Sequence, residues 1–158
     1  MFSTTVATGK SSAHLQIQSA IKKVLATEEI WIEKHFAGIN RIADVVWPAK
    51  KLIFEVQVSP ISAEEIKARN RDYTQAGYQV IWILHDRNFN RRHLSPAEIA
   101  LRSLPHYFTN IDGSGKGFFY DQVAQIRKKK RVKCSCRFPI NLASINFARE
   151  SSFSLKHK

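Results

Sequence analysis

A helical connection between two buried strands is the feature that most restricts the fold of this chain. Tyr78 to Leu84 is an apolar run of the kind found in strands that are buried on both faces. Ahead of it, Ser62-Ala-Glu-Glu65 is a capping box, which predicts a helix to about Ala76, and Gly77 is the usual residue to end one. Because such connections are almost always right-handed crossovers, the strands before and after this helix should be parallel.

The preceding residues predict one helix and three strands. From Ser12 to about Thr27 apolar residues recur at helical spacing, with Ser12 available as the N-cap. Strand-like segments follow at Ile30 to Phe36, Arg41 to Trp47 and Leu52 to Val58, and the connections between them are short enough for hairpins. The order helix, three strands, helix, strand is an α/β arrangement, and 158 residues suit a single domain.

Beyond Leu84 the pattern is weaker. His85 to His93 is expected to be a polar loop, and Ser95-Pro-Ala-Glu98 opens a short helix to about Leu104. His106 to Ile111 and Gly117 to Tyr120 can pair as strands. Residues 1–10 are small and polar and are expected to form a flexible arm. From Arg127 the chain is strongly basic and is expected to be only partly ordered.

The charge of the chain favours an anionic polymer as its partner. Lys and Arg number 25 against 13 Asp and Glu, which gives a formal charge of +12, and each neutralised phosphate releases a condensed counterion. Part of the excess is one nearly consecutive run: Arg127, Lys128, Lys129, Lys130, Arg131 and Lys133. A basic protein that merely adsorbs to nucleic acid remains an alternative.

The sequence also predicts a cytoplasmic location with no membrane partner. No apolar run approaches the roughly 20 residues that span a bilayer, and the N-terminus lacks the features of a secretory signal. Cys134 and Cys136 are separated by one residue, too close for an unstrained disulfide, and are expected to be free thiols.

The third strand carries the candidate chemistry. Leu52, Phe54, Val56 and Val58 form one apolar face, whereas Ile53, Glu55, Gln57 and Ser59 form the other. Asp44 is an acid among the apolar residues of the preceding strand, and a hairpin would bring it near the level of Glu55. Two such carboxylates repel each other without a cation, so Mg²⁺ could bind both, with the Val56 carbonyl as a further ligand. The alternative is a pair of solvated acids on an exposed sheet face.

Several segments together resemble one known family. They are Arg41-Ile-Ala-Asp44-Val45, Phe54-Glu55-Val56-Gln57-Val58-Ser59-Pro60-Ile61-Ser62, the residues Glu65, Arg69 and Tyr73, and Ile81-Trp82-Ile83-Leu84. The pattern, with Ser12-Ala-His14 and Lys22 upstream, resembles the competence protein CoiA-like nuclease family of the PD-(D/E)xK phosphodiesterase superfamily, and it covers about residues 11 to 86.

The resemblance implies a restriction-endonuclease-like α-β-β-β-α-β core with a small C-terminal extension. We therefore expect a nuclease-like domain over residues 11–122, followed by a basic C-terminal segment over 123–158. The implied activity is a deoxyribonuclease dependent on Mg²⁺ or Mn²⁺, in DNA uptake, recombination or repair. Asp44 matches the metal-binding aspartate and Glu55 the second acidic ligand, whereas Gln57 stands where the wider superfamily usually carries lysine.

Roles for the remaining candidates are hypotheses at this point. Gln57 can orient the attacking water, and Glu33 can bind a second metal or act as a base, or be an ordinary surface acid. His14 is a candidate only through the resemblance. Arg69 and Tyr73 share a helix face and can contact phosphate, brace Glu55 or simply pack together.

DNA would be held partly by the basic C-terminal segment, through Arg127 to Arg131 and Lys133. Two other classes of function stay open. One is a non-catalytic nucleic-acid-binding module that retains the nuclease fold, and the other is an adaptor whose basic tail docks another protein.

Overall fold

A computed structural model of the protein describes residues 10–145. Apart from Lys10, the expected flexible arm lies outside this range. The α-helices within the range are Ser12–Val24 (α1), Ala63–Gln75 (α2), Asp86–Phe89 (α3) and Pro96–Leu101 (α4). The strands are Trp31–Phe36 (β1), Arg41–Trp47 (β2), Leu52–Gln57 (β3), Gln79–His85 (β4), His106–Thr109 (β5), Phe119–Asp121 (β6), Ala124–Arg127 (β7), Lys130–Cys134 (β8) and Phe138–Pro139 (β9). Short 3-10 helices cover Ala37–Ile39, Pro48–Lys50 and Leu142–Ser144.

Seven of the nine described strands form a mixed sheet in the order β1-β2-β3-β4-β5-β6-β9, and β7 and β8 form a separate two-stranded sheet. Strands β1, β2 and β3 are an antiparallel meander, and β3, β4 and β5 are parallel. The chain runs from β3 through α2 to β4, which confirms the predicted crossover. The α/β fold with its α-β-β-β-α-β order is therefore confirmed. Among the described residues no helix is both long and apolar enough to cross a bilayer.

Helices cover both faces of the sheet, so the central strands are buried from both sides. The apolar cluster on the α1 face includes Ile17, Ile21, Phe54, Val56 and Ile81. The cluster on the opposite face, which contains side chains of α2 and α4, includes Ile53, Ile66, Trp82, Leu84 and Leu101. Strand β3 contributes side chains to both clusters. Because helices pack on both faces of the sheet, the face of β3 that carries Glu55 is buried as well.

Local signals placed the helix ends to within a few residues. Ser11, rather than Ser12, caps α1, because its side chain accepts a hydrogen bond from the His14 backbone N–H. Ser62 caps α2 as predicted, and Gly77 follows the helix with a positive φ of 90°. A full capping box forms at Ser95, where α4 begins.

Two segments differ from expectation. Part of the expected polar loop after β4 is the short helix α3, whose first turn is capped by the His85 side chain. Residues 127–145 of the segment that was expected to be partly ordered are folded, and its remaining residues, 146–158, lie outside the described range. Strands β7 and β8 form a hairpin, β9 joins the main sheet beside β6, and Leu142 is fully buried. Cys134 and Cys136 are free, as predicted, and both are exposed.

Candidate active site

The two predicted acids lie where strands β2 and β3 stop pairing with each other. Their ladder runs from Trp47 opposite Leu52 to Val45 opposite Phe54. At the next residues of the two strands, backbone N–H groups donate to carboxylate side chains instead of to backbone carbonyls. The Asp44 N–H donates to Glu55 Oε2 at 3.1 Å, and the Val56 N–H donates to Asp44 Oδ2 at 2.8 Å. The predicted proximity of Asp44 and Glu55 is therefore confirmed.

Both acids are buried rather than solvated. Asp44 is 5% exposed and Glu55 is 1% exposed, so the alternative of two acids on an exposed sheet face is wrong. Burying an ionised carboxylate costs several kcal/mol unless hydrogen bonds or opposite charges compensate it. The surroundings of each acid show how much compensation the protein itself supplies.

Asp44 has cationic and polar partners on the α1 side. Lys10 Nζ lies 2.7 Å and His14 Nε2 3.2 Å from Asp44 Oδ1, and the Gln18 amide donates to the Asp44 backbone carbonyl. Burial by itself raises the pKa of Asp44, but the His14 hydrogen bond and the charges of His14 and Lys10 lower it to about 2. Asp44 is thus held as a carboxylate, and His14, proposed only by resemblance, lies in the site.

Glu55 has far less compensation. Burial raises the pKa of Glu55 well above its usual range, and the neighbouring Asp44 charge raises it further. Arg69 opposes this effect, with Nη1 at 3.7 Å from Glu55 Oε1, but its Nε donates to Glu65 at 2.8 Å. Of the two acids, Asp44 is therefore the one whose charge the protein stabilises, whereas burial favours the protonated form of Glu55.

Tyr73 also belongs to the Glu55 side of the site. It is fully buried, and its hydroxyl lies next to the Glu55 carboxyl group. Burial and the nearby Glu55 charge both raise the pKa of that hydroxyl. A side chain with no exposed surface does not reach a nucleic-acid backbone, so bracing of Glu55, rather than phosphate contact, is the role that the geometry favours for Tyr73.

Lys10 is the site residue that sequence reasoning missed. Its ammonium group bridges Asp44 and Glu33, at 2.7 Å and 3.0 Å. Glu33 itself is partly exposed and adopts a left-handed backbone with φ of 53° in the middle of β1, a conformation that non-glycine residues rarely adopt and that clusters at functional sites. The only sequence signal for Lys10 is its position one residue before the N-cap of α1.

These residues line an open pocket of about 600 Å³. Its lining includes Lys10, His14, Glu33, Arg41, Asp44, Glu55, Val56, Gln57, Ser59, Arg69 and Tyr73. The Gln57 amide nitrogen donates to the Ser59 carbonyl at 2.6 Å. The predicted catalytic residues thus share one pocket.

The donor set fits a hard divalent cation that keeps part of its water shell. Across the described range, no three side chains of His, Cys, Asp or Glu come together as a ready-made metal site. Mg²⁺ is usually held by one or two carboxylates, with waters and substrate phosphates completing its shell. Asp44 and Glu55 supply two such carboxylates, and the Val56 carbonyl remains a predicted further ligand.

The basic residues of the C-terminal segment, which were also predicted to contact nucleic acid, lie outside this pocket, and one of them is engaged in the fold. Arg131 Nη2 is 2.6 Å from Glu98 Oε2, and both side chains are less than 10% exposed. The structure therefore argues against Arg131 as a phosphate contact, because its charge is already paired. The neighbouring basic side chains, Arg127 to Lys130 and Lys133, are exposed.

Comparison with known proteins agrees with the geometry. The model of the family described as competence protein CoiA, nuclease-like domain, matches residues 10–154. The chain belongs to this family. No curated protein and no solved structure gave a match. Membership of the CoiA nuclease-like family supports a nuclease or nucleic-acid-related function, and the match includes both the pocket and the basic hairpin β7–β8.

Proposed function

We propose that this CoiA-type domain hydrolyses phosphodiester bonds of DNA with the help of Mg²⁺ or Mn²⁺. The observation that carries the proposal is the buried Asp44–Glu55 pair at the split between β2 and β3, facing an open pocket. Two buried acids in the sheet lower the stability of the fold unless a ligand compensates their charge. A bound divalent cation would compensate both.

When bound, the metal would polarise the scissile phosphate and lower the pKa of a coordinated water. The residues of the chain prepare this chemistry. Asp44 stays ionised because His14 and Lys10 stabilise its charge, whereas Arg69 and Tyr73 flank Glu55. Gln57 would orient a water through its amide group. Gln57 stands where the PD-(D/E)xK superfamily usually carries lysine, and it lines the same pocket as the two acids. Membership of that superfamily is part of the proposal.

Lys10 favours a second candidate, a nucleic-acid-binding module without catalysis. Its ammonium group already compensates Asp44 and Glu33, so a retired site could persist with lysine in the place of a metal. The candidates differ in one respect. A nuclease needs the carboxylates of Asp44 and Glu55, whereas a binding module needs only the surrounding positive charge.

Cleavage of labelled linear, single-stranded and branched DNA in Mg²⁺, Mn²⁺ or EDTA separates the two candidates. Asp44→Asn and Glu55→Gln keep side-chain shape and remove the charge. Each is expected to lower the cleavage rate at least about 100-fold, because metal polarisation contributes several kcal/mol. Glu28→Gln, at an exposed acid before β1, is the matched control and should cleave normally. DNA binding without cleavage in every metal, unchanged in both site variants, would contradict the nuclease proposal.

A further inference from the structure

Two basic segments that are distant in the sequence form one surface in the fold. Residues 91–93 follow helix α3, and residues 127–130 form the tip of the β7–β8 hairpin. The Leu94 N–H donates to the Lys129 carbonyl at 2.9 Å, the Arg131 N–H donates to the Arg92 carbonyl at 2.8 Å, and His93 pairs with Lys130 in an antiparallel bridge. These main-chain bonds fix the two segments side by side.

The charges on this surface are available to a ligand. Arg91, Arg92, Arg127, Lys128, Lys129 and Lys130 are exposed. None of the six forms an ion pair with an acid in the described part of the chain. Glu98, a buried acid that lines the same groove as Arg91 and Arg92, is already paired with Arg131. The surface therefore presents a concentrated positive charge, which favours a polyanion.

The hairpin tip adopts a conformation that lysine disfavours. Arg127 pairs with Lys130, so Lys128 and Lys129 are the two turn residues, with φ of 47° and 61°. This is the pattern of a type I′ turn, in which Asn-Gly is the favoured pair. Two lysines at these positions make the turn less stable, so their presence indicates a role for the charge rather than for the turn.

A second groove lies beside this surface. It has a volume of about 480 Å³ and is lined in part by Pro60, Ile61, Asn88, Arg91 and Arg92. Its first residues directly follow Val58 and Ser59, which line the pocket. The Asn88 amide donates to the Val58 carbonyl at 2.8 Å, which holds α3 against the end of β3.

We infer that residues 91–92 and 127–130 form a binding surface for the sugar-phosphate backbone of the nucleic acid whose scissile phosphate lies at Asp44 and Glu55. This inference rests on the proposed function for the position of the reacting phosphate. The two segments act together, and the loop after α3 contributes as much as the hairpin. Arg131 instead fixes the hairpin against α4 through Glu98.

The test compares three double variants in their binding of labelled duplex DNA. Lys128→Asn with Lys129→Gly removes two charges and installs the favoured turn pair, so it should fold at least as well as the original. Arg91→Gln with Arg92→Gln removes two charges from the other segment. Lys23→Ala with Lys50→Ala is the charge-matched control, because Lys23 lies at the end of α1 and Lys50 in the β2–β3 connection.

Binding is measured in EDTA at several salt concentrations, so that the result does not depend on cleavage. Each surface variant is expected to weaken binding about tenfold and to lower the slope of log Kd against log salt by about 2, with the control unchanged. An equal effect of all three pairs, or none from either surface pair, would overturn the inference. Cleavage is then followed in Mg²⁺, where the surface variants should raise KM with kcat unchanged. If the original protein does not cleave DNA, the proposed nuclease activity is refuted, but the binding surface is not.

Discussion

Replacing Arg131 by methionine is expected to destabilise the fold by about 3 kcal/mol at pH 7, because it leaves the Glu98 carboxylate buried without its partner. Removing one member of a buried ion pair typically costs about 3–5 kcal/mol. The protein can limit this cost by protonating Glu98. The usual pKa of this group is 4.5, so protonation at pH 7 costs about 3.4 kcal/mol at about 1.4 kcal/mol for each pH unit.

The same reasoning makes the loss dependent on pH. Burial raises the pKa of Glu98, and the charge and hydrogen bond of Arg131 oppose that rise. Without Arg131 the pKa rises further, and the folded state then holds the proton more tightly than the unfolded state does. Such a group destabilises the fold increasingly as the pH rises above 4.5. At pH 5 the cost of protonation falls to about 0.7 kcal/mol, so most of the defect should disappear.

Thermal unfolding followed by circular dichroism at pH 7 and pH 5 measures both effects. A loss of about 3 kcal/mol corresponds to a fall in Tm of roughly 6–12 °C for a chain of this size. Arg127→Met, an exposed change in the same hairpin, is the control and should stay within about 0.5 kcal/mol. Combining Arg131→Met with Glu98→Gln should recover most of the stability. A loss equal to that of the control, or one independent of pH, would refute the reasoning.

Two further predictions concern single positions. Gly117→Ala should lower the free energy of unfolding, measured in urea, by at least about 2 kcal/mol. The reason is that φ of Gly117 is 137° and an added Cβ would lie 2.5 Å from Asn110 Oδ1. Gly38→Ala is the control and should be nearly neutral, because the space around Gly38 is open. Burial raises the pKa of Tyr120 to about 12, so its stabilising contribution is complete below pH 10 and is lost toward pH 12; alkaline absorbance titration against Tyr120→Phe should show this late ionisation.

The sequence allowed the central fold and the acid pair to be predicted because both depend on local signals. The apolar run of β4, the N-cap at Ser62 and Gly77 fix the crossover from residues that are neighbours along the chain. The proximity of Asp44 and Glu55 follows from a short hairpin connection, which leaves little freedom in the register of β2 and β3. Burial of the pair was not predictable, because it depends on helices packing on both faces of the sheet.

The remaining features depend on contacts between distant residues or break a local rule. The β7–β8 hairpin has lysines where glycine or asparagine is expected, so turn chemistry gave no sign of it. Arg131 looks like its basic neighbours until it is seen to pair with Glu98, 33 residues away in the chain. Lys10 precedes α1 in a stretch of small polar residues, and only the tertiary fold brings its ammonium group to Asp44.

The division of charge within the site explains why a cation should matter to this domain. Lys10 and His14 compensate Asp44, and Lys10 reaches Glu33, but Arg69 lies too far from Glu55 for a hydrogen bond at 3.7 Å. The protein's own groups therefore compensate the charge of Asp44 better than that of Glu55. If Glu55 existed only to complete the fold, glutamine would serve as well, since it can accept the Asp44 N–H bond without a charge. The cation that we propose, entering from the pocket, accounts for an acid at this least compensated position.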